Sequence, residues 1–149
     1  MGSDLTGGGA TPTFLVEAMR DPDGANLDRI QIVKGWIDSA GKMQERVFDV
    51  AWSGNRKVGK GGKLPPVGNS VKGATYTNTI GAPVLSAYWR DPTHRAGERA
   101  FYYARVLEIP TPTWLAYDMV QIGQRSLPKD AKLIHQERGY GSPIWVGSR

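Results

Sequence analysis

The chain has 149 residues and 16.3 kDa, the size of one ordinary domain, able to bury on the order of 70% of its unfolded surface in a single core. With 40% apolar and 22% charged residues it is not a wholly disordered chain; no apolar run nears the roughly 20 residues of a membrane-spanning helix, and the absence of cysteine excludes disulfides and thiolate zinc sites. The net charge of +5 is local: no acidic residue lies between Asp49 and Asp91, while Arg56, Lys57, Lys60, Lys63, Lys72 and Arg90 do, a field confined to one connection rather than spread over a face for nucleic acid.

Residues 1–12 are small, Gly-rich and polar and read as a flexible lead-in, without the basic start and apolar stretch of a signal peptide. Residues 13–149 read as one domain. Nineteen glycines and ten prolines demand many turns, which favours short strands over long helices. Thr13 to Met19 is a strand candidate ended by the turn residues Asp21-Pro22-Asp23-Gly24. Arg29 to Ile37 and Arg46 to Trp52, separated by Asp38-Ser39-Ala40-Gly41-Lys42, read as a hairpin. Gly54 to Gly73 is a basic loop of unusual length, expected at the surface. Strands resume at Ala74–Ile80 and Val84–Trp89, and Phe101–Ile109, apolar on both faces, should be central. After Pro110 and Pro112, Trp114 to Ile122 carries Leu115, Met119 and Ile122 at helical spacing. Lys132–Glu137 and Ile144–Val146 close the chain as strands.

Glu98, Ala100, Tyr102 and Ala104 alternate into the central strand, downstream of a turn at Asp91-Pro92. Immunoglobulin-like sandwiches use this spacing for a tyrosine corner, in which the hydroxyl bonds back to the preceding connection. The expected fold is therefore mainly β: an immunoglobulin-like β-sandwich with one short helix.

No catalytic constellation emerges from the residues. Gly54 to Lys60 fits the first seven places of a phosphate-binding P-loop, but Gly61 stands where a hydroxyl is needed, and Gly62-Lys63-Leu64-Pro65-Pro66 cannot supply the helix that must follow. Asp21 to Asp28 resembles a calcium loop, but its register places Met19 and Ile30 at ligand positions, so a turn between strands explains it. His94 and His135 lie on separate segments without ligand-spaced partners, so no metal site and no cofactor are expected. Ser53 and Ser142 lack a strand–turn–helix elbow. Of the five tryptophans, Trp36, Trp52, Trp89 and Trp145 fall on strands, where core packing accounts for them; Trp114 is the one expected at the surface. Arg56, Lys57, Lys60 and Lys63 are the candidate anion-binding residues.

Several long stretches carry a family resemblance. They are Arg20 through Trp36, Phe48-Asp-Val-Ala-Trp-Ser-Gly54, Gly62-Lys-Leu-Pro-Pro-Val-Gly-Asn69 and Tyr76-Thr-Asn-Thr-Ile-Gly-Ala-Pro83. Arg99 through Tyr103, Arg105 through Pro112, Gln136-Glu-Arg138 and Ser142-Pro-Ile-Trp145 continue the pattern. From about Met1 to Val146 the chain resembles the C-terminal region of large bacterial proteins grouped as domain of unknown function 3604, related to the PHP (polymerase and histidinol phosphatase) metal-dependent hydrolases. That resemblance implies a non-catalytic accessory β-sandwich, with a hydrolase barrel as its partner and the barrel's metal ligands upstream of Met1. Neither histidine falls in a shared motif, so no metal ligand carries over, and the loop from Arg56 to Gly62 is richer in lysine than the family pattern. The alternative is a free-standing module binding an anionic ligand through loop 54–73. The apolar surplus on Phe101–Ile109 and on Trp114, Leu115, Met119 and Ile122 also suggests association, most simply a homodimer.

Overall fold

The computed structural model describes residues 2–6, 10–60, 62–123, 126–127 and 129–147. In chain order the elements are β1 (Ser3–Leu5), β2 (Thr13–Met19), β3 (Leu27–Ile37), β4 (Met43–Trp52), β5 (Val71–Lys72), β6 (Thr75–Tyr76) and β7 (Val84–Arg90). They continue with β8 (Ala100–Glu108), β9 (Thr111–Pro112), α1 (Trp114–Ile122), β10 (Ile134–His135), β11 (Arg138–Tyr140) and β12 (Ile144–Val146). This is the mainly-β sandwich with one short helix that the composition and patterning predict.

The larger sheet runs β1-β12-β8-β3-β4, and β11 pairs with β8 further along the same edge. β8 is thus paired on both sides, as its two apolar faces require. The second sheet is the β2–β7 pair, in full antiparallel register from Thr13↔Arg90 to Met19↔Val84. It lies over one face of the larger sheet. Phe14, Val16 and Ala18 point inward with Leu85 and Ala87, whereas Leu15, Met19 and Tyr88 point out. The core joins Phe14, Ile32, Ala100 and Tyr102, with the Phe14 and Tyr102 rings 4.9 Å apart.

The β3–β4 turn is closed by Asp38 N–H donating to the Lys42 carbonyl at 3.0 Å, with Gly41 at φ +75° supplying the left-handed step. Two expected strands shrink. Within Ala74–Ile80 only Thr75 and Tyr76 form a ladder, because Asn78 and Ile80 turn their polar groups to Asn26: its N–H donates to Asn78 Oδ1 at 2.8 Å, and its Nδ2 to the Ile80 carbonyl at 2.9 Å. Within Lys132–Glu137 only Ile134 and His135 pair, against Pro112 and Thr111. Ser3–Leu5, inside the stretch read as a lead-in, add a parallel strand to β12.

The two long connections are anchored. In loop 54–73 Leu64 is buried, and in the segment after β8 Ile109, Thr111, Pro112 and Thr113 are buried. α1 buries Ala116 and leaves Trp114, Tyr117, Val120 and Ile122 exposed, so Ile122, in the turn before the left-handed Gly123 cap, leaves the expected inward stripe.

Candidate functional site

Three polar or aromatic assemblies stand out. The first is at the corner between β7 and β8. Lys34 and Tyr102 are direct cross-strand neighbours on the inner face. The Lys34 ammonium lies 2.8 Å from Asp91 Oδ2 and 2.5 Å from Glu98 Oε2, with both Lys34 and Asp91 essentially sealed from water. Tyr102 Oη donates to Asp91 Oδ2 at 2.8 Å, and the Thr93 N–H and hydroxyl donate to Asp91 Oδ1 at 2.8 and 2.7 Å. Burial alone would raise the Asp91 carboxyl, but Lys34, Thr93 and Tyr102 together hold it below its usual range. Burial, then the bond to Asp91, pushes the Tyr102 phenol far up, so it remains a donor. The tyrosine corner is present, with a carboxylate as acceptor where a backbone carbonyl is usual.

His94 joins this corner, its Nδ1 being 3.4 Å from Glu98 Oε2. Asp91, His94 and Glu98 bring their ligand atoms within 4.8 Å of one another, a juxtaposition that sequence reasoning missed by treating His94 as isolated. The spacing Asp91-x2-His94-x3-Glu98 around one turn was the available signal. The assembly does not suit a metal. Lys34, anchored from a central strand, already holds the positive charge between the two carboxylates, and a divalent cation there would face an ammonium it cannot displace.

The second assembly centres on Asp28, which is fully buried. Arg56 Nη2 reaches Asp28 Oδ1 at 2.7 Å, while Arg29 Nε and Gln136 Nε2 reach Oδ2 at 3.0 and 2.9 Å. Arg56 also donates to the carbonyls of Ser53 and Pro65. Of the four candidate anion-binding residues, Arg56 is therefore an internal strut that pins the loop to β3. Lys57, Lys60 and Lys63 are exposed on the same loop, which turns back through Gly59 N–H donating to the Lys63 carbonyl at 3.0 Å. His135 stands apart, 2.8 Å from Glu137.

The third assembly is on the outer face of the larger sheet, opposite the β2–β7 pair. One register row crosses five of the sheet's six strands: Asp4↔Trp145↔Phe101↔Gly35↔Glu45. Residues in register share a face, so two aromatic rings stand between a carboxylate on β1 and another on β4. The Phe101 ring lies directly over Gly35, where a β-carbon would overlap it. Phe101 and Trp145 are 5.2 Å apart, and Tyr103 and Tyr140 extend the aromatic row. A cavity of about 1020 Å³ opens over this end of the sheet. Ile37, Met43 and Trp36 line it with the two rings, and Asp38, Glu98 and Arg99 join Asp4 and Glu45 as its charged groups. Hydrogen bonds, chiefly from the Lys42 N–H and then from Gln44, hold the Asp38 carboxyl below its usual range. The surface is concave and aromatic, the character of a binding cleft, while Glu98 at its margin is already paired with Lys34.

The chain belongs to the family described as protein of unknown function (DUF3604), whose model matches residues 1–148. No curated protein and no solved structure matches it.

Proposed function

We propose that this member of the DUF3604 family is a non-catalytic accessory β-sandwich that works beside a PHP-type metal-dependent hydrolase barrel, offering it a packing surface and an approach for substrate. The relation to that hydrolase class rests on the sequence resemblance. The observation that carries the reading is the division of the chain's titratable groups. The buried ones are consumed in the Lys34 and Asp28 networks that brace the fold, while apolar side chains stand out on α1, where Trp114 is 72% exposed and Val120 68%. A helix that buries Ala116 and turns tryptophan, tyrosine and valine outward is suited to contact with another protein surface. The test is turnover of p-nitrophenyl phosphate and bis-p-nitrophenyl phosphate by the chain with manganese or zinc added. No turnover is expected, and metal-dependent turnover that scales with protein would overturn the reading.

The exposure of Lys57, Lys60 and Lys63 favours a second reading, a module that binds an anion through loop 54–73. Retention on heparin with a steep salt dependence would support it, since released counterions set that slope. Loss of retention at low salt would remove it.

A further inference from the structure

We infer that Lys34 and Asp91 are the two halves of an intramolecular amide crosslink, which the chain forms by itself with Glu98 as the base. The inference goes beyond the accessory-domain reading and needs no hydrolase partner. It adds no turnover, because each side chain reacts once. It starts from one ammonium nitrogen that touches two carboxylates, 2.8 Å from Asp91 Oδ2 and 2.5 Å from Glu98 Oε2. An ammonium and a carboxylate together contain the atoms of an amide and one water, so the step requires no oxidant and no co-reactant.

Bulk water opposes that condensation by solvating both ions. Here the Lys34 and Asp91 side chains are 1% and 0% exposed, and the Trp36 and Tyr102 rings stand 5.0 and 5.8 Å from the nitrogen. A site this dry narrows the gap between the ion pair and the neutral amine and acid, which hold the same protons. Both partners are also fixed in place, Lys34 by the central β3 and Asp91 by the corner after β7. Reactants positioned within one molecule reach effective molarities of about 10⁵–10⁸ M.

The remaining neighbours fall where the step needs them. The Thr93 N–H and hydroxyl donate to Asp91 Oδ1, and Tyr102 Oη donates to Oδ2. One ammonium proton passes to Asp91 Oδ2, and the freed nitrogen pair forms the bond to Asp91 Cγ. The C=O pair moves onto Oδ1, where the two Thr93 donors act as an oxyanion hole and strengthen as charge gathers. Glu98 takes a second proton from the nitrogen and delivers it to Oδ2. The pair on Oδ1 then restores the C=O bond, the Cγ–Oδ2 bond breaks, and water leaves. Glu98 ends as the carboxylate it began as. The ion-paired form, in which Asp91 still titrates, precedes the crosslinked one, and the product ties β3 to the corner that leaves the second sheet.

The test is intact-mass spectrometry of the full chain, denatured before injection and sampled from fresh preparation through several days at neutral pH. A species lighter than the sequence by one water should accumulate, and its tryptic digest should contain a branched peptide joining the Lys34 and Asp91 segments. Lys34→Arg should abolish that species, and Glu98→Gln should slow it about a hundredfold, the lower range of a positioned base. Asp23-Gly24 can also lose water, as a succinimide, but it yields no branched peptide and persists in Lys34→Arg. The parent's own mass decides the matter even where a variant does not fold. The inference is overturned if the parent keeps its sequence mass, if the lost water maps to Asp23-Gly24, or if Glu98→Gln crosslinks as fast as the parent.

Discussion

The Tyr102 hydroxyl and the Asp91 carboxylate, 2.8 Å apart and both buried, tie the centre of one sheet to the corner that leaves the other. Tyr102 stands mid-strand on β8, and Asp91 begins the connection from β7, so the bond fixes the distance between the layers. A buried hydrogen bond to a charged group contributes about 1.5–3 kcal/mol. Tyr102→Phe keeps the ring against Phe14 and removes only the donor. Urea unfolding should show a loss of about that size, with the slope unchanged. A loss below about 0.5 kcal/mol would mean that Lys34 and Thr93 suffice for Asp91.

Acid should find the same corner. Because the folded Asp91 carboxyl is held below its unfolded value, its contribution is complete above the unfolded pKa and disappears as pH falls through the folded one. Glu108 works the other way. Burial, then Glu137 and Asp21, raises its carboxyl, so its contribution is present at low pH and lost as pH rises through the raised value. Stability should therefore fall as pH drops below the ordinary carboxylate range and Asp91 protonates. Thr93→Val, which deletes one donor to Asp91, should move that acid limb to higher pH. An unshifted limb in this variant would assign the acid loss to other carboxylates.

The strands were legible wherever side-chain alternation alone decides the structure. Thr13–Met19, Ile144–Val146 and the helix Trp114–Ile122 have the bounds that their patterning predicts. Legibility failed where side chains replaced the backbone ladder, as with Asn26 and Asn78, since alternation carries no trace of such bonds. The candidate site was read less well than the fold. Arg56 looked like part of a solvated basic run because its partner Asp28 is 28 residues away in sequence. The aromatic row was invisible because it depends on the register of five strands, two of them at opposite ends of the chain.

Loop 54–73 should respond unevenly to loss of its basic residues. Arg56→Ala strips an ion pair from fully buried Asp28, leaving Arg29 and Gln136 as partners, and should cost about 2–3 kcal/mol. Lys60→Ala and Lys63→Ala, both exposed, should stay within about 0.5 kcal/mol of the parent. Thermal melts of the three variants side by side decide this. Equal effects would mean that the loop is not pinned through Arg56.

Gly35 offers a test of the outer face that needs no ligand. A β-carbon there meets the Phe101 ring, so Gly35→Ala must lift the ring off the sheet, and overpacking of this kind costs about 1–3 kcal/mol. Phe101→Leu in the same background should recover part of the loss, because the smaller side chain no longer covers the α-carbon. Additive losses in the double variant would show that the two residues are independent.

Association should run through α1. Trp114, Tyr117 and Val120 recur every third residue along its exposed side, and the helix packs beside β9, not over the aromatic row of the outer sheet face. Thr113 holds the helix start through its hydroxyl, which donates to the Lys132 carbonyl at 2.9 Å, so the stripe is presented from a fixed base. Such a stripe, left in water on the isolated chain, favours contact with a second copy around a two-fold axis. Sedimentation equilibrium should show mass rising above the monomer with concentration, and Trp114→Glu, at a residue that is 72% exposed, should return the chain to monomer without lowering its melting temperature. A hydrolase barrel bound at the same helix would compete with that self-association. A parent chain that stays monomeric well above micromolar concentration would remove α1 as a contact surface, and with it the packing half of the accessory-domain reading.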